Sequence, residues 1–373
     1  MNSAQPTVLQ KLLRRPPAVV AICIIGITCL LAVFAYLIVP DNTPAANRMI
    51  IELGARQPGF TKQILYLPAS TRQGHNSQIF EWFNGTPSDY IAIPVNGYSF
   101  ASNELTIRHY IDEGLEDTIT YTLASLLPAT DLSKPITEQQ AILVQHQIKT
   151  RTFYLGTDRY GRDILSRLLV GSRVTMAVGI IAVLLSLTIG IILGSVAGYF
   201  GGWVDNVVTW LINILYAIPT LLLVFAITLT IGKGFWEIFI AIGLSMWVSA
   251  ARLIRGQVLV LREMEYITAA KALGLGDMRI IFRHILPNIA GPLMVIAAGN
   301  FAAAILVEAG LGFLGFGIQP PHPSWGLMIK EHYNFLLTNR PLLALIPGLA
   351  IMLLVYAFNI LGNALRDVLD VKE

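Results

Sequence analysis

Charged residues are scarce in this sequence. Asp, Glu, Lys and Arg make up 13% of its 373 residues, whereas apolar residues make up 54%. Soluble domains usually carry about 25% charged residues, so this composition excludes an ordinary soluble fold for most of the chain. The mean hydropathy of +0.62 points the same way. The net charge of +3 is small and the basic residues form no single stripe, so nucleic acid is not a predicted partner.

Reactive and ligand-binding motifs are also scarce. Cys23 and Cys29 lie six residues apart in one apolar run and do not share a helix face, so we interpret them as membrane-helix residues. The histidines show no pair with metal-site spacing. Gly232-Lys233-Gly234 lacks both the spacing and the hydroxyl of a phosphate-binding loop. The sequence therefore predicts no catalytic residue, no metal site and no cofactor bound by this chain.

Six apolar runs are long enough to predict membrane spans. The first, Val19–Val39, can cross a hydrocarbon core about 30 Å thick. No cleavage-site pattern follows it, so we interpret it as a retained helix rather than a signal peptide. Because the backbone finds no water in lipid, such spans must be helices. The other predicted spans are Met176–Phe200, Val207–Ile231, Phe235–Ala251, Ile289–Val307 and Leu342–Leu361.

Basic residues predict the orientation of these spans. Lys11, Arg14 and Arg15 precede the first run without an acidic residue, and basic residues outnumber acidic ones between the fourth and fifth runs. The positive-inside rule places both segments, and both termini, in the cytoplasm. The predicted division is a cytoplasmic N-terminus at 1–18, a first membrane helix at 19–40 and an extracytoplasmic insertion domain at 41–154.

The extracytoplasmic insertion has a different pattern from the rest of the chain. Alternation at Ile119, Tyr121 and Leu123 predicts a strand. Residues 137–140, Thr-Glu-Gln-Gln, resemble a capping box that opens a helix. About 110 residues can form a modest core, so a small α+β domain is predicted.

Small residues recur on the second predicted span. Four glycines follow one another at intervals of four, which places them on one helix face and lets another helix approach closely. We predict that this face packs inside a helix bundle. The residues are Gly190, Gly194, Gly198 and Gly202.

The loop at residues 253–288 predicts two short helices joined by a turn. Tyr266–Leu273 is rich in helix-forming residues, and Gly274 can supply the left-handed residue that ends a helix. Met278–Leu286 predicts a second helix, which Pro287 breaks. On the residues alone, the first helix either inserts into a groove on a partner or lies on the membrane surface.

The same loop resembles the EAA loop of importer permeases of the ATP-binding-cassette class. That motif is Glu-Ala-Ala, three residues, Gly, nine residues, then Ile-x-Leu-Pro; here Thr268 replaces the Glu and His284 the first Ile. The resemblance implies a coupling helix seated on an ATPase. The residues it assigns to this loop are Glu265, Tyr266, Thr268, Ala269, Ala270, Gly274, Asp277, Arg279, His284 and Pro287.

Four further motifs resemble the second permease subunit of dipeptide and oligopeptide importers, a subfamily that includes nickel and microcin-type transporters. Asn363 and Val371 depart from it, because the family tends to have Asp and Pro there. The motifs are LGTDRYGRDILSRLLVGSR (Leu155–Arg173), GYFGGWVD (Gly198–Asp205), FLGFGIQPPHPSWG (Phe313–Gly326) and FNILGNALRDVLD (Phe358–Asp370).

The resemblance implies an all-α polytopic membrane protein with six transmembrane helices of the ABC importer permease fold. The resemblance covers about residues 155–373, the predicted permease domain. The small α+β extracytoplasmic domain predicted between helices 1 and 2 comes from the residue pattern alone, because an insertion of this length is unusual for the family. The implied partners are a second homologous permease, two ATPases that hold ATP and Mg²⁺, an extracytoplasmic binding protein and membrane lipid. The implied location is the bacterial inner membrane. The implied substrate is a di- or oligopeptide, with nickel or a modified peptide as alternatives.

Polar residues inside the apolar runs are candidates for an outer gate or the translocation path. They are Glu308, Asn300 and Asn213, although lone polar residues also bond between helices and Glu308 also suits a structural ion pair. Arg162 and Asp163 are predicted to cap the helix that enters the membrane. A secondary transporter and a membrane-anchored sensor are competing functions, and neither requires the EAA-like loop.

Overall fold

The computed structural model of this chain describes residues 7–68, 77–232, 234–338 and 340–370. Parts of the predicted cytoplasmic N-terminus and of the predicted insertion domain, together with Lys233 and Val371, lie outside these ranges. The described chain is mostly helical. Its α-helices are α1 (Val8–Leu13), α2 (Pro16–Val33), α3 (Ala35–Ile38), α4 (Gln78–Asn84), α5 (Leu123–Leu126), α6 (Ala129–Leu132), α7 (Ile136–Gln147), α8 (Ile164–Phe200), α9 (Gly202–Ala217), α10 (Thr220–Ile231), α11 (Phe235–Arg262), α12 (Glu265–Ala272), α13 (Asp277–Ile280), α14 (Ala290–Leu314), α15 (Trp325–His332) and α16 (Leu342–Asp370).

Two compact units make up the chain. We name them the helical unit and the sheet unit. The predicted insertion at 41–154 is smaller than the sheet unit, because residues 155–171 and 331–345 cluster with it. The helical unit comprises Met1–Ala32, Ser172–Lys330 and Ile346–Glu373, and the sheet unit comprises Val33–Gly171 and Glu331–Leu345.

Five helical segments among the described residues are long and apolar enough to cross a membrane. Several are longer than the predicted runs, because the helices continue past the apolar stretch into polar flanks. The fourth predicted span, for example, ends at Arg262 rather than Ala251. The five segments are Pro16–Val33, Ile164–Phe200, Phe235–Arg262, Asp277–Leu314 and Leu342–Leu369.

The remaining predicted span, Val207–Ile231, differs from the single helix that its length predicted. α9 and α10 meet there at an angle of 97°. Ile218 ends α9 in an extended conformation and Pro219 precedes α10. Proline lacks the backbone N–H and disfavours the helical conformation of the residue before it, which explains the break.

The segment before the fifth span also differs from its prediction. Pro287 does not end a helix there. Residues Ile281–Ile285 form a π-turn and Leu286–Ile289 a 3₁₀ turn, and the chain then continues into α14. A change of helical register can accommodate the missing proline N–H, so α13 and α14 belong to one continuous helical segment.

The core of the helical unit is formed by side chains from four helices. Their apolar side chains exclude water and pack together, which is the main favourable term for burial of this kind. Val178 of α8, Val224 of α10, Ile238 of α11 and Ala304 of α14 all belong to one buried cluster. At the N-terminus, α1 and α2 contribute Leu12 and Ala18 to a cluster on α16.

The sheet unit contains an antiparallel five-stranded sheet. Its strand order is β4-β3-β2-β1-β5. The central strand β2 pairs with β1 through its first half, as at Leu65↔Ile93, and with β3 through its second half, as at Phe100↔Leu105. The strands are β1 (Phe60–Pro68), β2 (Tyr90–Ala101), β3 (Glu104–Asp112), β4 (Leu115–Thr122) and β5 (Ile148–Phe153).

One face of this sheet is covered by short helices. Leu65, Val95 and Leu105 of the strands share a buried cluster with Leu123 of α5 and Leu143 of α7. The predicted strand at 119–123 is therefore β4, but Leu123 already begins α5. The predicted capping box is wrong: α7 begins at Ile136 after Pro135, with no side-chain cap, because the proline starts the helix ahead of residue 137.

Candidate coupling and translocation sites

The helix predicted at Tyr266–Leu273 is present as α12, and glycine ends it as predicted. Gly274 has a φ of +75°, in the left-handed region. The N–H of Gly274 donates to the carbonyl of Lys271 at 2.9 Å, and the N–H of Leu275 donates to that of Ala270 at 3.2 Å. These are the two bonds of a Schellman motif, so the backbone around Gly274 fixes where the helix stops.

One side of α12 is buried within the chain itself. Ile267 and Ala270 belong to an apolar cluster that also contains Val258 of α11, Ile280 of α13 and Ile285. Ala270 was predicted to contact a partner. The structure instead places it inside the helical unit, because it shares the buried face of α12 with Ile267, three residues earlier.

The other side of the loop is exposed. Large apolar side chains stand at its edge: Leu273 is 82% exposed, Phe282 66% and Met278 55%. Sequence reasoning missed these three residues, because the EAA pattern does not specify them. They could have been found as large apolar residues at positions outside the buried face of the loop. Of the predicted residues, His284 is half-buried and the exposed ones are Glu265, Tyr266, Thr268, Ala269, Gly274, Asp277, Arg279 and Pro287.

Polar bonds attach the loop to the end of α8. The hydroxyl of Tyr199 donates to the carboxylate of Asp277 at 2.7 Å. The guanidinium of Arg262 donates to the backbone carbonyl of Gly198 at 3.0 Å. A charge-assisted bond is stronger than a neutral one, so these bonds hold the loop in place against the end of α8.

The glycine face of α8 packs against α11, as predicted for three of its four members. A Cβ added at Gly190 would lie 2.6 Å from the Cβ of Ala250. One added at Gly198 would lie 2.8 Å from the Cβ of Val258. Such distances are shorter than carbon atoms tolerate, so the two helices approach as closely as they do because glycine is present.

Gly202 does not belong to this face. α8 ends at Phe200, and Gly202 opens α9 with a φ of +54° and no atom within 4 Å of an added Cβ. The four-residue spacing of the glycines therefore continues in the sequence, but Gly202 does not lie on the same helix face because α8 has already ended.

The candidate path residues have different surroundings. Asn300 is buried on α14, where its amide donates to the hydroxyl of Ser186 at 3.1 Å and its carbonyl accepts from Ser249 at 3.4 Å. These bonds link α14 to α8 and α11, so Asn300 connects helices. Asn213 is exposed and accepts a hydrogen bond from Arg252 at 3.3 Å.

Glu308 is buried on α14. No ion pair of Glu308 occurs among the described residues, and neither carboxylate oxygen has a hydrogen-bond partner there. The prediction that Glu308 forms a structural ion pair is therefore wrong within the described part of the chain. A buried carboxyl in an apolar bundle is costly.

Comparison with known proteins agrees with this geometry. The family described as binding-protein-dependent transport system inner membrane component matches residues 190–372, which include α11, α12 and α14. The chain belongs to this family, because three permeases are 38–44% identical to it over 72–73% of their own length. It is a membrane permease subunit.

Individual permeases match a longer part of the chain. The glutathione transport system permease protein GsiD of Pectobacterium atrosepticum is 42% identical over 219 residues, 59% of this chain and 72% of the relative. The dipeptide permease protein DppC of Alkalihalophilus pseudofirmus is 44% identical over 219 residues, with the same coverage. The oligopeptide permease protein OppC of Bacillus subtilis is 38% identical over 223 residues, 60% of this chain and 73% of the relative.

The sheet unit of the permease contains a buried ion-pair cluster. Arg162 pairs with Asp158 at 2.5 Å and with Glu331 at 2.9 Å, and Arg167 pairs with Glu331 at 3.4 Å. Asp158, Glu331 and His332 place potential metal-ligating atoms within 4.8 Å of one another, but the guanidiniums already engage both carboxylates. We assign an ion-pair cluster, which sequence reasoning missed because Glu331 is 169 residues from Arg162.

Asp163 caps α8, as predicted. Its carboxylate accepts from the backbone N–H of Ser166 at 2.9 Å and from the Ser166 hydroxyl, which is the bond an N-cap residue makes. Burial raises the pKa of the Asp163 carboxyl above its ordinary value, against the opposing effect of the bonds from Ser166. The predicted capping role of Arg162 is wrong, because its side chain lies in the ion-pair cluster.

Proposed function

We propose that this permease forms half of the translocation path of an ATP-driven importer for peptides. The relatives support this substrate class, since their names specify dipeptides, oligopeptides and glutathione. A second homologous permease would supply the other half of the path. Two ATPase subunits would hold ATP and Mg²⁺, and an extracytoplasmic binding protein would deliver the peptide.

The surface of the coupling loop is the observation that carries this proposal. α12 presents small residues such as Ala269 to solvent, and Leu273, Met278 and Phe282 stand exposed beside them. Several exposed apolar side chains on one loop suit a protein partner. A short helix with a small-residue face fits a groove, and the neighbouring apolar side chains can bury against the groove walls.

The orientation that we propose places this loop and both termini in the cytoplasm. Basic residues dominate residues 252–283, and cytoplasmic loops carry such an excess. The sheet unit then lies on the extracytoplasmic side of the inner membrane. In a variant without Cys23 and Cys29, a cysteine at Thr118 of β4 should react with an impermeant reagent added to intact cells. One at Gly276 should not, and labelling there would reverse the orientation.

The mechanism that we propose is a shift between two states of the importer. ATP binding would favour an outward-open arrangement, and hydrolysis would return the inward-open one. Each ligand can shift this equilibrium only as far as its affinities for the two states differ. The loop is held in place by the buried side chains of Ile267 and Ala270 and by its polar bonds to α8. Through these contacts it would transmit movement of an ATPase to α11 and α14.

The test is a pair of substitutions at one exposed position. Ala269→Trp should lower substrate-stimulated ATP hydrolysis and peptide uptake by the reconstituted complex, because a large side chain would hold α12 out of its groove. Ala269→Ser keeps the small volume and should behave as wild type. If α12 instead lay on the membrane surface, Trp would be tolerated or would strengthen the contact. Wild-type hydrolysis and uptake by Ala269→Trp would overturn the coupling role.

The substrate class is tested separately. The reconstituted importer, with its binding protein, should take up labelled dipeptides and oligopeptides in an ATP-dependent manner. Uptake of Ni²⁺ without uptake of any peptide would reject the substrate class and leave the coupling role untouched.

A further inference from the structure

α4 carries an unusual set of exposed side chains. Ile79, Phe80, Trp82 and Phe83 are all between 49% and 67% exposed. An α-helix turns by about 100° per residue, so these four positions cover an arc of roughly 160° on one side of the helix. A seven-residue helix thus presents a continuous aromatic and aliphatic face with no charge on it.

The opposite side of α4 faces its own unit. Glu81 lies opposite the centre of the apolar face and is half-buried. Its carboxylate accepts a hydrogen bond from the hydroxyl of Thr86, in the segment that follows the helix, at 3.5 Å. The helix is therefore amphipathic, with its polar side turned inward and its apolar side turned away from the sheet unit.

The C-terminal end of α4 is fixed to the segment that follows the first membrane helix. The N–H of Thr86 donates to the carbonyl of Asn42 at 2.8 Å. Gly85 has a φ of +83°, and a Cβ added there would lie 2.7 Å from the same carbonyl oxygen. Only glycine permits this approach, so the position of α4 relative to Asn42 is defined by backbone contacts.

This attachment lies close in the chain to the first candidate membrane span. α2 is a candidate span of 18 residues, only 17% buried within the chain, and α3 follows it after Phe34 alone. Asn42 comes four residues after α3, where the apolar run has just ended. The backbone anchor of α4 therefore comes only nine residues after Val33, where the candidate span ends.

The apolar face of α4 continues the exposed apolar surface of α3. Leu37 of α3 and Trp82 of α4 line one cavity together with Tyr36. Phe34, Leu37 and Ile38 are exposed directly after the candidate span. The exposed apolar surface of α3 thus adjoins that of α4.

We propose that α4 is an interfacial helix that inserts its apolar face into the outer leaflet and holds the sheet unit to the membrane surface. Helices of this kind bury their apolar face about 5–10 Å into the region of headgroups and upper acyl chains. Trp is enriched at this depth because its ring is apolar and its N–H is polar. The inference rests on α2 crossing the membrane and on the orientation proposed above, and it does not depend on the substrate.

The first test measures which environment the face contacts. Cys23 and Cys29 are replaced by Ala in the full chain, a single cysteine at Phe83 carries a nitroxide, and the protein is placed in bilayers of phosphatidylethanolamine and phosphatidylglycerol. Collisions of the nitroxide with oxygen, which concentrates in lipid, should exceed those with a water-soluble nickel chelate. A nitroxide at Thr118, exposed on β4, is the matched control and should show the reverse.

A protein partner is the alternative occupant, and the same label distinguishes it. A nitroxide at Phe83 that collides mainly with the nickel chelate in bilayers, and becomes shielded only when the binding protein or the second permease is added, would overturn the proposal.

A second measurement avoids the label. The fluorescence of Trp82, obtained as the difference between wild type and Trp82→Phe, should be quenched by lipids brominated near the headgroup. Equal quenching of the two proteins would also overturn the proposal that α4 inserts into the membrane.

Discussion

Gly194 of α8 lies so close to α11 that a Cβ added to it would be 2.6 Å from the backbone carbonyl oxygen of Ala251. A carbonyl oxygen in a membrane helix cannot move aside as a flexible side chain can. The contact between these two residues therefore sets the distance between α8 and α11, and α11 leads directly to the coupling loop.

Replacement of Gly194 should separate these helices. Gly194→Leu should lower the thermal midpoint of the purified permease and reduce uptake, because overpacking a tight contact typically costs about 1–3 kcal/mol. Gly202→Leu is the control for the loss of a glycine from the same repeat, since nothing lies within 4 Å of an added Cβ there. The loss of midpoint should be smaller for Gly202→Leu, which keeps only the strain of its positive φ. Equal losses would contradict the packing role of Gly194.

Substitution of Gly274 tests whether the left-handed backbone conformation at the end of α12 is needed for coupling. No atom lies within 4 Å of an added Cβ, so Gly274→Val acts only through its φ of +75°. A non-glycine residue there costs about 1–2 kcal/mol, which lowers the equilibrium ratio of the native turn to its alternatives roughly five- to thirty-fold. We expect a loss of substrate-stimulated ATP hydrolysis in the reconstituted complex.

The control for Gly274 is Gly276→Val. Gly276 is also exposed, with open space around it and an ordinary φ of −66°. ATP hydrolysis by this variant should stay close to wild type. If both variants lost coupling to the same degree, bulk near the turn rather than its conformation would be responsible.

Glu331 tests the buried ion-pair cluster. Glu331→Gln leaves the guanidiniums of Arg162 and Arg167 buried with one carboxylate fewer, and breaking a buried pair typically costs about 3–5 kcal/mol. We expect a lower thermal midpoint of unfolding in detergent. Glu113→Gln provides the comparison: this carboxylate pairs with Arg56 but is exposed, and exposed pairs contribute about 0–1 kcal/mol. A wild-type midpoint for Glu331→Gln would show that the cluster contributes nothing to stability.

Asp163 predicts a dependence of stability on pH. Burial raises the pKa of its carboxyl, so the folded state holds this proton to a higher pH than the unfolded state, whose pKa is about 3.9. The associated stability is fully present below that value and is lost as pH rises through the folded pKa. The difference in thermal midpoint between wild type and Asp163→Asn should therefore change across this window. A difference independent of pH would contradict the assignment.

Several elements of this permease followed from the sequence. Runs of apolar residues predicted α2, α8, α11, α14 and α16, because lipid leaves helix formation as the way to satisfy a spanning backbone. The left-handed residue that ends α12 was predictable because glycine is favoured there whatever lies around it. Asp163 as the cap of α8 was likewise a local property. Each of these depends on residues only a few positions apart.

Other features were decided by the tertiary structure. The sequence could not tell that Ala270 faces inward while Ala269 faces outward, because that depends on where Ile280 and Ile285 lie. It could not pair Arg162 with Glu331, nor end the glycine face at Gly198. Propensity and periodicity act over a turn or two of helix, whereas these contacts join segments distant in the chain and exist only once the helices and the sheet have packed.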